Sequence, residues 1–149
     1  MLIQNLQLLF DRDLSKLKAE ILAYKDEQNI WVVKNDIKNS AGNLCLHLLG
    51  NLQHYIGFQL GKIEYQRNRP AEFSSNNMPV DAIVQSIEHT QQVLKVSFSG
   101  LDNDTLENEY PEKVFQESMQ VEYFLLHLLA HLNYHLGQIN YHRRLVEPS

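Results

Sequence analysis

Apolar residues recur at steps of three and four from the start of the chain. Leu6, Leu9, Phe10, Leu14, Leu17, Ile21 and Tyr24 form one stripe of a 3.6-residue period. The pattern predicts an amphipathic helix over about residues 2–28. Residues 29–39 break the period and read as a connection; their IWVV run is short and has no partner strand. Ser40 then suits an N-cap, because its hydroxyl can accept from a first-turn amide, and a second helix is expected over about residues 41–60. The stretch GKIEYQRNRPAEFSSNNMP is rich in Asn, Ser and Pro and reads as a long loop, of the kind that is functional or flexible. Pro79 opens a third helix to about residue 97, since proline is tolerated at the first helical position. After the connection SGLDNDTLENEYPE comes the longest clear pattern, a fourth helix over about residues 117–145. Four helices and no convincing strand predict an all-α protein, a four-helix bundle forming a single domain over residues 1–149. The unequal connections permit a topology other than up-down-up-down.

The fourth helix carries an unusual polar set. In HLLAHLNYHLGQI, His127, His131 and His135 stand four residues apart in an otherwise apolar run. With His131 at zero and about 100° per residue, Val121, Leu125, Leu128, Leu132, Leu136 and Ile139 fall at roughly 60–140°, the core face. His135 lies at about 40°, on the edge of that face, and His127 at about −40°, further toward solvent. His131 and His135 are therefore the pair best placed to look inward. Their spacing sets the Cβ atoms about 5–6 Å apart, the geometry by which two helical histidines share a metal.

A metal site needs more than two ligands, and three protein ligands with an open position is the usual catalytic zinc arrangement. The second helix, NSAGNLCLHLLGNLQHYIG, offers a third. His47 sits at the edge of an apolar arc made by Leu44, Cys45, Leu48, Leu52, Tyr55 and Ile56, with Asn51 and His54 on the same boundary. If the two helices neighbour each other, His47, His131 and His135 converge at one end of a groove. The plainer reading keeps each imidazole as a hydrogen-bonded boundary group. On that reading His54, His89, His127 and His142 are surface or boundary residues, Cys45 is a small core residue, and Arg67 and Arg69 are solvated loop charges.

Charge and composition narrow the function classes. Lys and Arg number 13 against 18 Asp and Glu, a net charge of −5, which argues against nucleic acid as a partner. The single cysteine, Cys45, excludes an internal disulfide. The N-terminus lacks the basic start and unbroken apolar run of a signal peptide, and no apolar stretch reaches the roughly 18–20 residues needed to span a bilayer. A soluble, cytoplasmic protein with no membrane partner is the expectation.

NSAGNLCLHLLGNLQHYIG, then RNRPAEFS, then HLNYHLGQINYHRRL together resemble the DinB-like superfamily, bacterial four-helix-bundle metal proteins that include YfiT-like proteins and thiol-dependent S-transferases. (The DNA polymerase that shares the DinB label is unrelated to this usage.) The resemblance covers essentially the whole chain. It implies that the helix-two ligand falls on His47 and the helix-four pair on His131 and His135, with Gly137–Gln138 following at the family spacing. It also implies a homodimer and a divalent metal ion, commonly nickel or zinc. Three imidazoles suit zinc, nickel, copper or iron, so ligand type alone does not choose.

The expected activity is metal-dependent transfer of a low-molecular-weight thiol to an electrophile, on a small-molecule substrate. Asn51, His54 and Tyr55 are expected to line the groove as substrate-binding residues. No carboxylate stands at an obvious general-base position, so no catalytic residue is assigned. The alternatives are a non-catalytic metal- or ligand-binding stress-response protein, a metal-dependent hydrolase, and a metal-free helical dimer.

Overall fold

The computed structural model describes residues 1–148, all but the last of the chain. The described residues form six α-helices: α1 (Leu2–Leu22), α2 (Ala41–Leu52), α3 (Arg69–Ser74), α4 (Val80–Ser99), α5 (Asn103–Glu107) and α6 (Val121–Val146). A 3-10 turn, Glu27–Trp31, precedes α2, and a π-helical segment, Gln53–Phe58, continues it. They contain no strand, only one isolated antiparallel bridge between Glu109 and Gln120. The all-α expectation holds, while the four predicted segments become six helices.

Most boundaries follow from local chemistry. Ser40 Oγ accepts from the Asn43 amide, as its position before the periodic run predicts. The first helix stops at Leu22, short of residue 28, and the chain turns into the 3-10 segment that Asp26 caps from its side chain. Pro79 sits one residue outside α4, as its N-cap. The last helix begins at Val121, about four residues later than the pattern suggested, because Tyr110 and Met119 pair through their backbones just before it. The two short helices lie within predicted connections. Asn68 caps α3, which has proline in its first turn, and Asp102 and Thr105 form a capping box on α5.

The four longest helical stretches close into a ring. α1 packs on α4 and α6, and α2 with its π segment packs on the same two. The order around the ring is α1, α4, α2, α6, so the connections from α1 to α2 and from α4 to α6 cross its diagonals. Leu6, Phe10, Leu14, Leu17 and Ile21 of α1 meet Leu48, Leu52, Leu125, Leu128 and Leu132 in one core. At about 1.5–3 kcal/mol for each large side chain buried, this core is the main stabilising term.

Polar contacts from two residues of α6, Asn133 and His142, fix it in register. Asn133 Nδ2 donates to Oδ2 of the buried Asp13 on α1 at 2.7 Å. His142, expected near the surface, is buried: its Nε2 lies 2.8 Å from the Val32 carbonyl and its Nδ1 2.6 Å from the Tyr24 hydroxyl. The carbonyl can only accept, so Nε2 carries the proton and Nδ1 accepts from Tyr24. These contacts, together with α2·α6 packing, set the face that α6 turns toward α2.

Candidate functional site

That packing brings the rings of His47, His131 and His135 together. One nitrogen from each lies within 4.8 Å of the other two. His131 Nε2 stands 3.3 Å from His47 Nε2 and 3.1 Å from His135 Nε2. His47 is buried and the other two are half-buried, at the boundary between core and surface that the helical angles predict.

The far nitrogens show what these contacts are. His47 Nδ1 lies 3.1 Å from Glu72 Oε1 and His135 Nδ1 2.7 Å from Gln138 Oε1. Both oxygens accept; Arg67 Nη2, a donor, also lies 3.4 Å from His47 Nδ1, but the Glu72 contact is the shorter. Each Nδ1 therefore carries its ring's proton and each Nε2 turns a bare lone pair toward His131. A proton on His131 Nε2 can serve one of these lone pairs and not both. His131 Nδ1 is itself buried without a protein partner. A cation at the centre would satisfy all three lone pairs. Tetrahedral coordination at about 2.0–2.1 Å requires nitrogens about 3.3–3.4 Å apart, close to the two separations from His131 Nε2. The residues present therefore fit a divalent metal.

A buried ion pair holds His47 from behind. Arg67 Nε donates to Glu72 Oε2 at 2.9 Å and Arg67 Nη2 to Glu72 Oε1 at 3.0 Å. Burial works to raise the Glu72 pKa, but the hydrogen bonds from His47 and Arg67 and the Arg67 charge outweigh it, and the carboxyl sits below its ordinary value. Glu72 thus stays ionised and keeps the His47 proton on Nδ1, as outer carboxylates do for metal-bound imidazoles. Gly50 makes this possible: a Cβ there would lie 1.9 Å from Glu72 Oε2. The sequence pattern carries no signal for Glu72, and Arg67, expected to be a solvated loop charge, is instead held in this pair, because α3 folds the RNRPAEF loop back onto α2. Arg69 is exposed, as expected.

Asn51 and Tyr55 line a cavity of about 240 Å³ beside the triad, with His47, His131, Arg67 and His127. His54 is not brought there. Its Nε2 lies 3.1 Å from Glu112 Oε2. Counting at 100° per residue holds only to Leu52; beyond it the π turn, with Gln59 N bonded to His54 O, adds a residue and shifts the register. A second cavity, of about 560 Å³, opens on the far side of His135 and is lined by Gln138, Tyr134, Tyr141 and Lys38. Cys45 is buried in the core, which pushes its thiol up to about 12, so it offers no thiolate.

A family model described as "Protein of unknown function (DUF1572)" matches residues 3–148. The chain belongs to this family. No curated protein matches it. In this DUF1572 member the matched span contains every residue of the triad and of the Glu72–Arg67 pair.

Burial, the neighbouring rings of His135, His47 and His127, and the Arg67 charge lower the His131 pKa to about 4. Burial likewise lowers His135. Both rings thus stay neutral, the form that binds metal, below the ordinary histidine value of about 6.5. For metal-free protein the sign follows from linkage: between about pH 6.5 and 4 the unfolded chain binds a proton that folded His131 refuses. The melting temperature of chelator-treated protein is expected to fall across that window as pH is lowered. The fall should be shallower in His131→Gln, which thermal melts at several pH values will show.

Proposed function

We propose that this chain is a divalent-metal-dependent enzyme of the DinB-like superfamily, built on that superfamily's four-helix bundle. Its metal, nickel or zinc, would be held by His47, His131 and His135, and its reaction would be transfer of a low-molecular-weight thiol to an electrophile. The observation that carries this reading is the convergence of three Nε2 atoms, two with their protons held on the opposite nitrogen. Such a metal would lower the pKa of a bound thiol, ordinarily about 8.5, and supply thiolate at neutral pH. The protein's own part is to keep His47 in one tautomer through Glu72 and His135 through Gln138. Asn51 and Tyr55 orient what enters the smaller cavity. A cavity on either side of the triad gives thiol and electrophile separate approaches.

The test is a panel of low-molecular-weight thiols with an aryl halide acceptor, run on nickel- or zinc-loaded protein. Thiol consumption that ceases on chelation is the expected result. Metal-bound protein that turns over no thiol, but still takes up a small ligand, would favour a metal- and ligand-binding protein instead.

The same reading includes a homodimer, and the outer face of α6 supports it. Tyr123, Leu126, Tyr134, Tyr141 and Leu145 are all exposed, in line with Ala130 at steps of three, four or seven. Isolated exposed apolar residues are ordinary, but a continuous stripe marks an interface. Tyr134 is midway between Tyr123 and Leu145, so antiparallel pairing about it would bring Glu122 of one copy toward Arg144 of the other. A second copy would then wall the larger cavity, whose lining includes Tyr134, Tyr141 and Leu145. Light scattering should give twice the chain mass, and Tyr134→Asp should reduce it to one; an unchanged mass in the variant would exclude this face.

A further inference from the structure

The smaller cavity has a charge imbalance that metal binding does not explain. Its lining holds Arg67 and Arg69 and not one Asp or Glu, in a chain whose net charge is −5. Glu72, behind His47, is bonded to Arg67 and offsets one positive charge. Arg69 has no ion-pair partner among the described residues; its guanidinium lies 5.7 Å from the centre of the Phe73 ring. In the metal-free protein one positive charge therefore faces the cavity uncompensated. Arg67 retains N–H groups as well, because Glu72 takes only one from Nε and one from Nη2.

The other lining groups define the rest of a ligand. Asn51 is 7% exposed and its Oδ1 is buried with no protein partner, an acceptor lacking a donor. Val114, Phe115, Phe124 and Leu128 supply an apolar wall opposite the polar groups. At about 240 Å³ the space is below the range of pockets for drug-sized molecules, roughly 300–1,000 Å³.

We propose that this cavity selects a small organic monocarboxylate, its carboxylate held by Arg69 with Arg67, its body against Phe115 and Phe124, and an N–H or O–H of that body donating to Asn51 Oδ1. The planar guanidinium fork matches a carboxylate, and a single surplus charge matches a monoanion better than a phosphate dianion. This rests on the metal reading only in that the carboxylate-bearing molecule would be a substrate of the same site; the anion subsite itself needs no metal.

The test separates the two claims. Protein loaded with cobalt(II) is titrated with 3-mercaptopropionate and with its neutral amide, following the thiolate-to-cobalt absorption. A charged hydrogen bond is worth about 1.5–3 kcal/mol, so the carboxylate is expected to bind at least about tenfold tighter. Arg69→Gln should bring the two within about twofold, with cobalt content unchanged. In parallel, metal-free protein is titrated with propionate and with inorganic phosphate by NMR. Propionate should shift the Asn51 and Arg69 side-chain signals in the wild type and leave the Asn51 signal in place in Arg69→Gln, and in the wild type phosphate should shift both signals less. Equal affinities for the two thiols, or propionate shifts that are absent or survive in the variant, would overturn the carboxylate subsite. Failure to bind cobalt alongside intact propionate shifts would overturn the metal reading and leave the subsite standing.

Discussion

Replacing His131 with alanine is expected to abolish metal retention. Its Nε2 is the contact common to the other two rings, 3.3 Å from one and 3.1 Å from the other. Without it, His47 and His135 remain as two imidazoles on separate helices. The loss in affinity should exceed the roughly 10–100-fold that follows removal of an outer hydrogen-bond partner. Thermal melts supply the readout: zinc at 100 times its Kd stabilises a folded protein by about 2.7 kcal/mol, and this increment should be present in wild type and missing in the variant. His47→Ala and His135→Ala should lose it too. Full metal content in all three variants would remove the three-histidine site.

Glu72→Ala should have the largest effect on stability. The Arg67 and Glu72 side chains are only 11% and 7% exposed, so theirs is not a surface ion pair worth 0–1 kcal/mol. Removing one partner leaves a buried charge uncompensated, at a cost of about 3–5 kcal/mol. For a domain of this length that lowers the melting temperature on the order of 10 °C. Metal affinity should also fall about 10–100-fold, because His47 loses the carboxylate that fixes its tautomer. The double variant Arg67→Met/Glu72→Ala separates the two roles. It should recover much of the stability, since an apolar pair can replace a buried ion pair, yet remain weak for metal. Recovery of both would show that Glu72 serves only to neutralise Arg67.

The long helices were legible because burial imposes a period on them. The predicted core residues of α6, from Val121 to Ile139, are all buried, and His131 and His135 lie at the edge of that face. The ring of His47 meets them because α2 neighbours α6, a contact the helical angles permit but do not dictate. The short helices α3 and α5 were hidden for the opposite reason: six and five residues do not complete enough turns to show a period. Glu72 went unread with α3, since its link to His47 spans 25 positions. Gly50 was the one local trace of it, a missing side chain where the carboxylate passes. His142 lies on the same angular edge as its neighbours on α6. It is buried because Tyr24 and the Val32 carbonyl close over it from more than 100 residues away, which no local pattern records. His54 was misplaced by a single added residue in the π turn.

X-ray absorption on the zinc-loaded protein tests the central claim most directly, that three rings from two helices bind one cation. Three imidazole nitrogens at about 2.0–2.1 Å are expected, with the imidazole signature diminished in His131→Ala. A shell of two or fewer imidazoles, a sulfur at about 2.3 Å, or a spectrum unchanged by His131→Ala would contradict it.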